Sequence, residues 1–213
     1  EALAFMEDYV DQNLPDHAQY DYRGESLEYK EASGSMFFTF GVAMLILFLV
    51  MAAQFESFVH PFIIMFTVPL GIVGALLGLY VTGNTLNIFS QIGILMIIGI
   101  AAKNGILIVE FINQTRDKGV EFTQAIIEGA KIRLRPVLMT TLSTVMGSVP
   151  LMLAFGPGSE SLNVLGIVVF FGVFFSALLT LFIIPAFYGV MAKNTQSPET
   201  IKKELEALEQ QIA

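Results

Sequence analysis

Cysteine is absent from all 213 residues. That removes disulfides and thiolate metal sites and leaves the redox compartment undecided. Charge is scarce as well: only 14% of residues are Asp, Glu, Lys or Arg, against roughly 25% in soluble domains. The chain opens at Glu1 with no initiator methionine, no basic leader and no signal-like segment, so the expectation is an excerpt from a longer chain. Low-complexity tracts and internal repeats are missing too. Basic residues are nearly lacking from the first 35 positions, where nine acids face only Arg23 and Lys30 and so account for most of the net charge of −8.

What the chain does have is apolar length, with 54% hydrophobic residues. A helix that crosses a bilayer needs about 20 mostly apolar residues. Five runs qualify, at about 36–53, 62–81, 88–112, 136–155 and 163–190. The predicted fold class is an all-α membrane protein of five transmembrane helices, with a short α+β piece ahead of them. Residues 1–33 read as a helix over "EALAFMEDYVDQNL" followed by an irregular or extended stretch through "AQYDYRGESLEY". Residues 34–192 hold the spans, and residues 193–213 form a tail whose Ile201, Leu205, Leu208 and Ile212 fall on one helical stripe.

Basic residues mark the cytoplasmic side of a membrane protein. The 113–135 connection carries Arg116, Lys118, Lys131, Arg133 and Arg135, and the tail carries Lys193, Lys202 and Lys203. Two spans separate these regions, so they share a side. The N-terminal piece, "TGNTLN" and "GPGSESLN" take the other, which puts the N-terminus outside and the C-terminus inside.

Within "IGIAAKNGILIVEF" stands Lys103, eight residues from Phe111, so its Cα lies about 12 Å from the nearer boundary. A lysine side chain reaches only about half as far. A charge at that depth costs at least about 2.5 to 3.5 kcal/mol, and it usually marks an ion pathway, a relay or a substrate site. Gly99, Lys103 and Glu110 share a helical face, with Asn104 beside them, and Gly93, Gly99, Ala101, Ala102 and Gly105 leave room for a neighbouring helix. A static buried ion pair that only sets helix packing is the alternative. Glu110, close to the span's end, fits an interfacial or supporting role as well as a transport role.

In "IRLRPVLMTTLSTVMGSVP" a second polar stripe joins Arg133, Thr140, Thr144 and Gly147, with Thr141 and Ser148 in a neighbouring row. Pro136 is expected near the helix start, where its missing N–H costs little. Hydroxyls in spans often bond only to carbonyls of their own helix, which is the structural reading of each threonine. Arg135 reads as a cytoplasmic anchor, Pro69, Pro150 and Pro185 as kinks, and Gly71, Gly74 and Gly78 as a packing face. No carboxylate lies deep in these spans, so a proton-binding acid would have to come from elsewhere.

"GIAAKNGILIVEF" followed by "RLRPVLMTT" resembles the tenth and eleventh transmembrane helices of resistance-nodulation-division exporters, in particular AcrB-type hydrophobe/amphiphile multidrug pumps. "VMAAQFESFVHPFIIMFTVPLGIVGALLGLYVTG" resembles their helices eight and nine, and "LFIIPAFYGV" their helix twelve. The resemblance implies that residues 36–190 are the last five of twelve membrane helices and that residues 1–33 end a periplasmic porter domain. It implies a proton relay in which Lys103 pairs with two adjacent aspartates on a helix outside this chain, with Arg133, Thr140 and Asn104 at matching relay positions. It further implies a drug/proton antiporter of the bacterial inner membrane that works as a homotrimer with its own N-terminal half, a periplasmic adaptor protein and an outer-membrane channel. No enzymatic activity, cofactor, metal or nucleic-acid partner is expected. A lipid-exporting or secretion-assisting relative of the superfamily and a non-transporting membrane scaffold are the competing readings.

Overall fold

The computed structural model describes residues 2–13, 15 and 21–193. Among the described residues seven helices run in order: α1 (Ala2–Asn13), α2 (Glu25–Phe55), α3 (Val59–Met65), α4 (Thr67–Thr82), α5 (Ile88–Asp117), α6 (Phe122–Met152) and α7 (Ser159–Met191). The chain divides into two compact units, residues 1–41 and 42–213.

In the first unit, Phe5 stacks on Tyr9 one turn later in α1, and the Tyr22 hydroxyl donates to the Glu7 carboxylate. The α+β character expected for residues 1–33 is not what the described residues show, since none of them forms a strand. The extended stretch expected to run to residue 29 is helical from Glu25 onward, as the start of α2. Extending an existing helix fixes one residue per hydrogen bond gained, whereas starting one fixes several, so the apolar segment of α2 carries its polar neighbours into the helix.

Among the described residues, four segments are long and apolar enough to cross a membrane: Met36–Phe55, Val59–Thr82, Ile88–Asp117 and Ser159–Met191. The protein is a multi-pass membrane protein. α6 falls short of that apolarity although it has 31 residues. Its charged first half and the hydroxyls of Thr140, Thr141, Ser143, Thr144 and Ser148 are the cause.

Val59–Thr82 is one span in two helices. Phe66 ends α3 and begins α4, and its N–H bonds the Ile63 carbonyl in a tightened turn. Pro69, three residues on, cannot donate to the Met65 carbonyl, which is why the break falls there. The other prolines behave differently. Pro136, expected near a helix start, is the fifteenth residue of α6, and Pro150 and Pro185 also lie inside continuous helices. α6 begins fourteen residues before Pro136 because "FTQAIIEGAKIRL" is itself a good helix former that packs on α5. α4 ends where Gly83 takes a left-handed conformation at φ 71° and Asn84 N–H reaches back to the Leu79 carbonyl. α5 begins with Asn87 and Ser90 bonding each other's backbone N–H.

α7 packs against α4, α5 and α6. The glycine face of α4 makes its part of this contact possible. A Cβ on Gly74 would lie 2.6 Å from Phe175 Cβ, and one on Gly78 2.6 Å from Phe171 Cβ. Close approach of this kind replaces the hydrophobic effect as the source of attraction between helices in lipid. A core joins Met51 and Phe55 of α2 to Ile63 of α3, Ile108 and Ile112 of α5 and Ile184 of α7.

Candidate functional site

The site is built from α5 outward. One side of this helix is closed: Gly93 lies against Val168, Gly105 against Ile64 and Thr67, and Ala101 and Ala102 are buried. The other side, with Gly99 and Lys103, is exposed in this chain, and nothing lies within 4 Å of a Cβ placed on Gly99. The small residues expected to admit a neighbour therefore do so on one face, and Lys103 stands at the edge of the other.

Lys103 borders a cleft of about 120 Å³ lined by Ile100, Lys103 and Asn104 of α5, Thr140, Thr141 and Thr144 of α6, and Val173 of α7. Asn104 is 5% exposed and forms the inner wall. Among the described residues no ion pair engages Lys103. The Thr140 hydroxyl donates to the Val137 carbonyl at 3.1 Å and the Thr144 hydroxyl to the Thr140 carbonyl at 2.9 Å. Both oxygens keep lone pairs free to accept. Thr141 Oγ1 is buried without a hydrogen-bond partner. The cleft therefore gathers three hydroxyls and one amide beside Lys103.

Three of the four residues singled out in the sequence, Lys103, Asn104 and Thr140, thus meet in one place. Arg133 does not join them. Its guanidinium carbon lies 4.5 Å from the centroid of the Phe111 ring, seven residues and about 10 Å along α6 from Thr140. Glu110, expected near a boundary, lies seven residues before the end of α5 and accepts a hydrogen bond from Gln114 at 3.0 Å. Sequence reasoning gave Thr141 only a secondary row. The signal that could have promoted it is its adjacency to Thr140 on the flank that turns toward α5. No group of His, Cys, Asp and Glu suited to a metal ion occurs among the described residues.

The profile of the AcrB/AcrD/AcrF family matches residues 1–192. The chain belongs to that family. Among its relatives, an uncharacterized transporter of Haemophilus influenzae is 37% identical over 199 residues, and the multidrug resistance protein MdtF of Escherichia coli (strain K12) is 38% identical over 192 residues. Each match covers 90% of this chain and 19% and 18% of the respective relative, so the chain spans about a fifth of the length of the curated relatives it matches. As a member of the AcrB/AcrD/AcrF family it is grouped with transporters, and the resistance-nodulation-division resemblance carried by "AAKNGILIVEF" holds over nearly the whole chain.

Proposed function

We propose that this chain is the C-terminal membrane portion of a proton-driven drug exporter of the bacterial inner membrane, an antiporter, and that Lys103 is the cationic half of its proton switch. The observation that carries the reading is the cleft: a lysine in an apolar span of an AcrB/AcrD/AcrF family member, bordered by Asn104, Thr140, Thr141 and Thr144. α6 also spans the membrane and brings the number of spans to five, with its Thr140, Thr141 and Thr144 lining the cleft. The N-terminus is periplasmic and the C-terminus cytoplasmic, in keeping with the basic 113–135 connection.

In this mechanism a pair of carboxylates on a helix outside the chain attracts the Lys103 ammonium while both are ionised. Protonation cancels that attraction, and the ammonium settles toward the neutral oxygens of Asn104 and Thr140. Two positions of one charge, selected by proton occupancy, give a bistable element that can bias a larger rearrangement. Arg133 serves the same relay from its seat on Phe111, where it raises the positive potential at the inner end of the path. The assembly is a homotrimer that works with a periplasmic adaptor and an outer-membrane channel.

The test is Lys103→Ala in the full-length transporter, with drug resistance and proton uptake by membrane vesicles as readouts. Both should be lost while trimer assembly persists. Retention of resistance and proton uptake together would remove Lys103 from the mechanism.

A further inference from the structure

A second polar cluster lies away from the Lys103 cleft, where α5 and α7 end and α6 begins. Arg116, in the last turn of α5, donates from Nη1 to the Tyr188 hydroxyl of α7 at 2.8 Å. That hydroxyl in turn donates to Oδ1 of Asn113, one turn earlier on α5. The Arg116 guanidinium carbon lies 5.0 Å from the centroid of the Phe122 ring at the start of α6 and 5.8 Å from that of Tyr188. His60 of α3 stacks on the Tyr188 ring, with centroids 5.7 Å apart and planes 14° from parallel. Tyr188 and His60 are fully buried and Asn113 nearly so.

Packing alone does not require these groups, since a leucine at 113 and a phenylalanine at 188 would fill the same space with no partner to satisfy. Apolar contacts tolerate sliding. Hydrogen bonds between buried groups do not, because a shift strands a donor or acceptor away from water. Three of the four helices joined here, α5, α6 and α7, also line the Lys103 cleft. Arg116 lies thirteen residues from Lys103 along α5, about 20 Å of helix, so a tilt of about 5° at the cluster moves Lys103 by about 2 Å. A movement of that size is enough to make or break a hydrogen bond.

We infer that Asn113, Arg116 and Tyr188, with His60 stacked on the tyrosine, form a clamp that sets α5 against α7 and so positions Lys103 in its cleft. These are positioning residues and carry no proton. The consequence for transport rests on the function proposed above, whereas the clamp itself is a statement about helix register.

The experiment compares Tyr188→Phe, Asn113→Leu and Asn113→Asp in the full-length transporter. Asn113→Asp keeps the oxygen that accepts from Tyr188 and should export at close to the wild-type maximal rate. Asn113→Leu should lower the maximal rate about fivefold, the equivalent of one lost hydrogen bond, and Tyr188→Phe, which also loses the bond from Arg116, by at least as much, with the drug KM unchanged. The double variant should fall no further than Tyr188→Phe alone, which already removes the bond to Asn113 along with the one from Arg116. An unchanged rate in Tyr188→Phe and Asn113→Leu, equal losses in Asn113→Asp and Asn113→Leu, or additive losses in the double variant would each overturn the clamp. Should Tyr188→Phe fail to accumulate, the two Asn113 variants decide the matter alone. Nitroxide labels at Gln114 and Val190, exposed residues near the ends of α5 and α7, read helix register without reference to transport. Their distance distribution should broaden in Asn113→Leu and not in Asn113→Asp, and an unchanged distribution in both refutes the clamp. If the wild-type protein exports nothing in a proton-dependent way, the transport reading fails while this distance measurement still judges the clamp.

Discussion

An ammonium group in a membrane span can be satisfied by a carboxylate or by several neutral oxygens, and Lys103 has the second kind beside it in this chain. Its costly position was legible in the sequence, because an ionisable side chain in an apolar run is expensive wherever its neighbours lie. The same geometry separates lysine from arginine at this position. A guanidinium is planar, broad and more weakly hydrated, and a cleft of about 120 Å³ leaves it less room than it leaves a compact ammonium. Lys103→Arg should therefore lower drug export at least about tenfold, measured as efflux rate in cells at equal protein level, a loss of about 1.4 kcal/mol in barrier terms. Thr141 is a contrasting case, because its buried hydroxyl has no partner. Thr141→Val keeps the shape and removes an unsatisfied group, so thermal unfolding in detergent should show stability unchanged or raised by up to about 1 kcal/mol. A marked destabilisation would mean that the hydroxyl is engaged in the assembled protein. For Arg133, sequence spacing gave the helical offset but not the seat of the side chain. A regular helical offset puts it in line with Thr140, but a long flexible side chain goes where its neighbours allow, and the ring of Phe111 captures it.

At the scale of helices, period and composition located α5 and α7 closely, since both are long apolar runs bounded by polar turns. Boundaries were less legible where polar helix continues beyond apolar span. α5 runs on to Asp117, α6 starts at Phe122 rather than near Pro136, and α2 starts at Glu25. A hydropathy profile reports where lipid can be, whereas a helix ends where its hydrogen bonds do. The expected amphipathic helix over residues 197–213 lies outside the described residues. The α4 glycine face was recognised as a packing surface, and the structure adds what it packs on. Gly74→Ala should destabilise the helix bundle by about 1 to 3 kcal/mol in a denaturation assay, because the new methyl meets Phe175 Cβ at 2.6 Å and the Phe171 carbonyl oxygen at 2.9 Å. The second of these is backbone and cannot rotate away.

For the whole molecule, orientation is the property that transport depends on, and the proposed orientation rests on charge placement. A single cysteine at Thr85, in the turn before α5, should react with a membrane-impermeant maleimide added to spheroplasts, and one at Lys118, after α5, only in inside-out vesicles. The absence of native cysteine from these residues leaves no background from this part of the protein. The reverse labelling pattern would invert the proposed topology. Sequence alone determined that the chain is helical and belongs in a membrane and that Lys103 is a charge set within an apolar span, because these follow from the cost of placing given atoms in hydrocarbon. Only the tertiary structure decided that Lys103, Asn104 and Thr140 share a cleft without Arg133. It alone brought His60, Asn113, Arg116 and Tyr188 into one cluster, although Asn113 and Tyr188 are 75 residues apart. Contacts of that separation depend on how helices turn and cross, which local pattern does not encode.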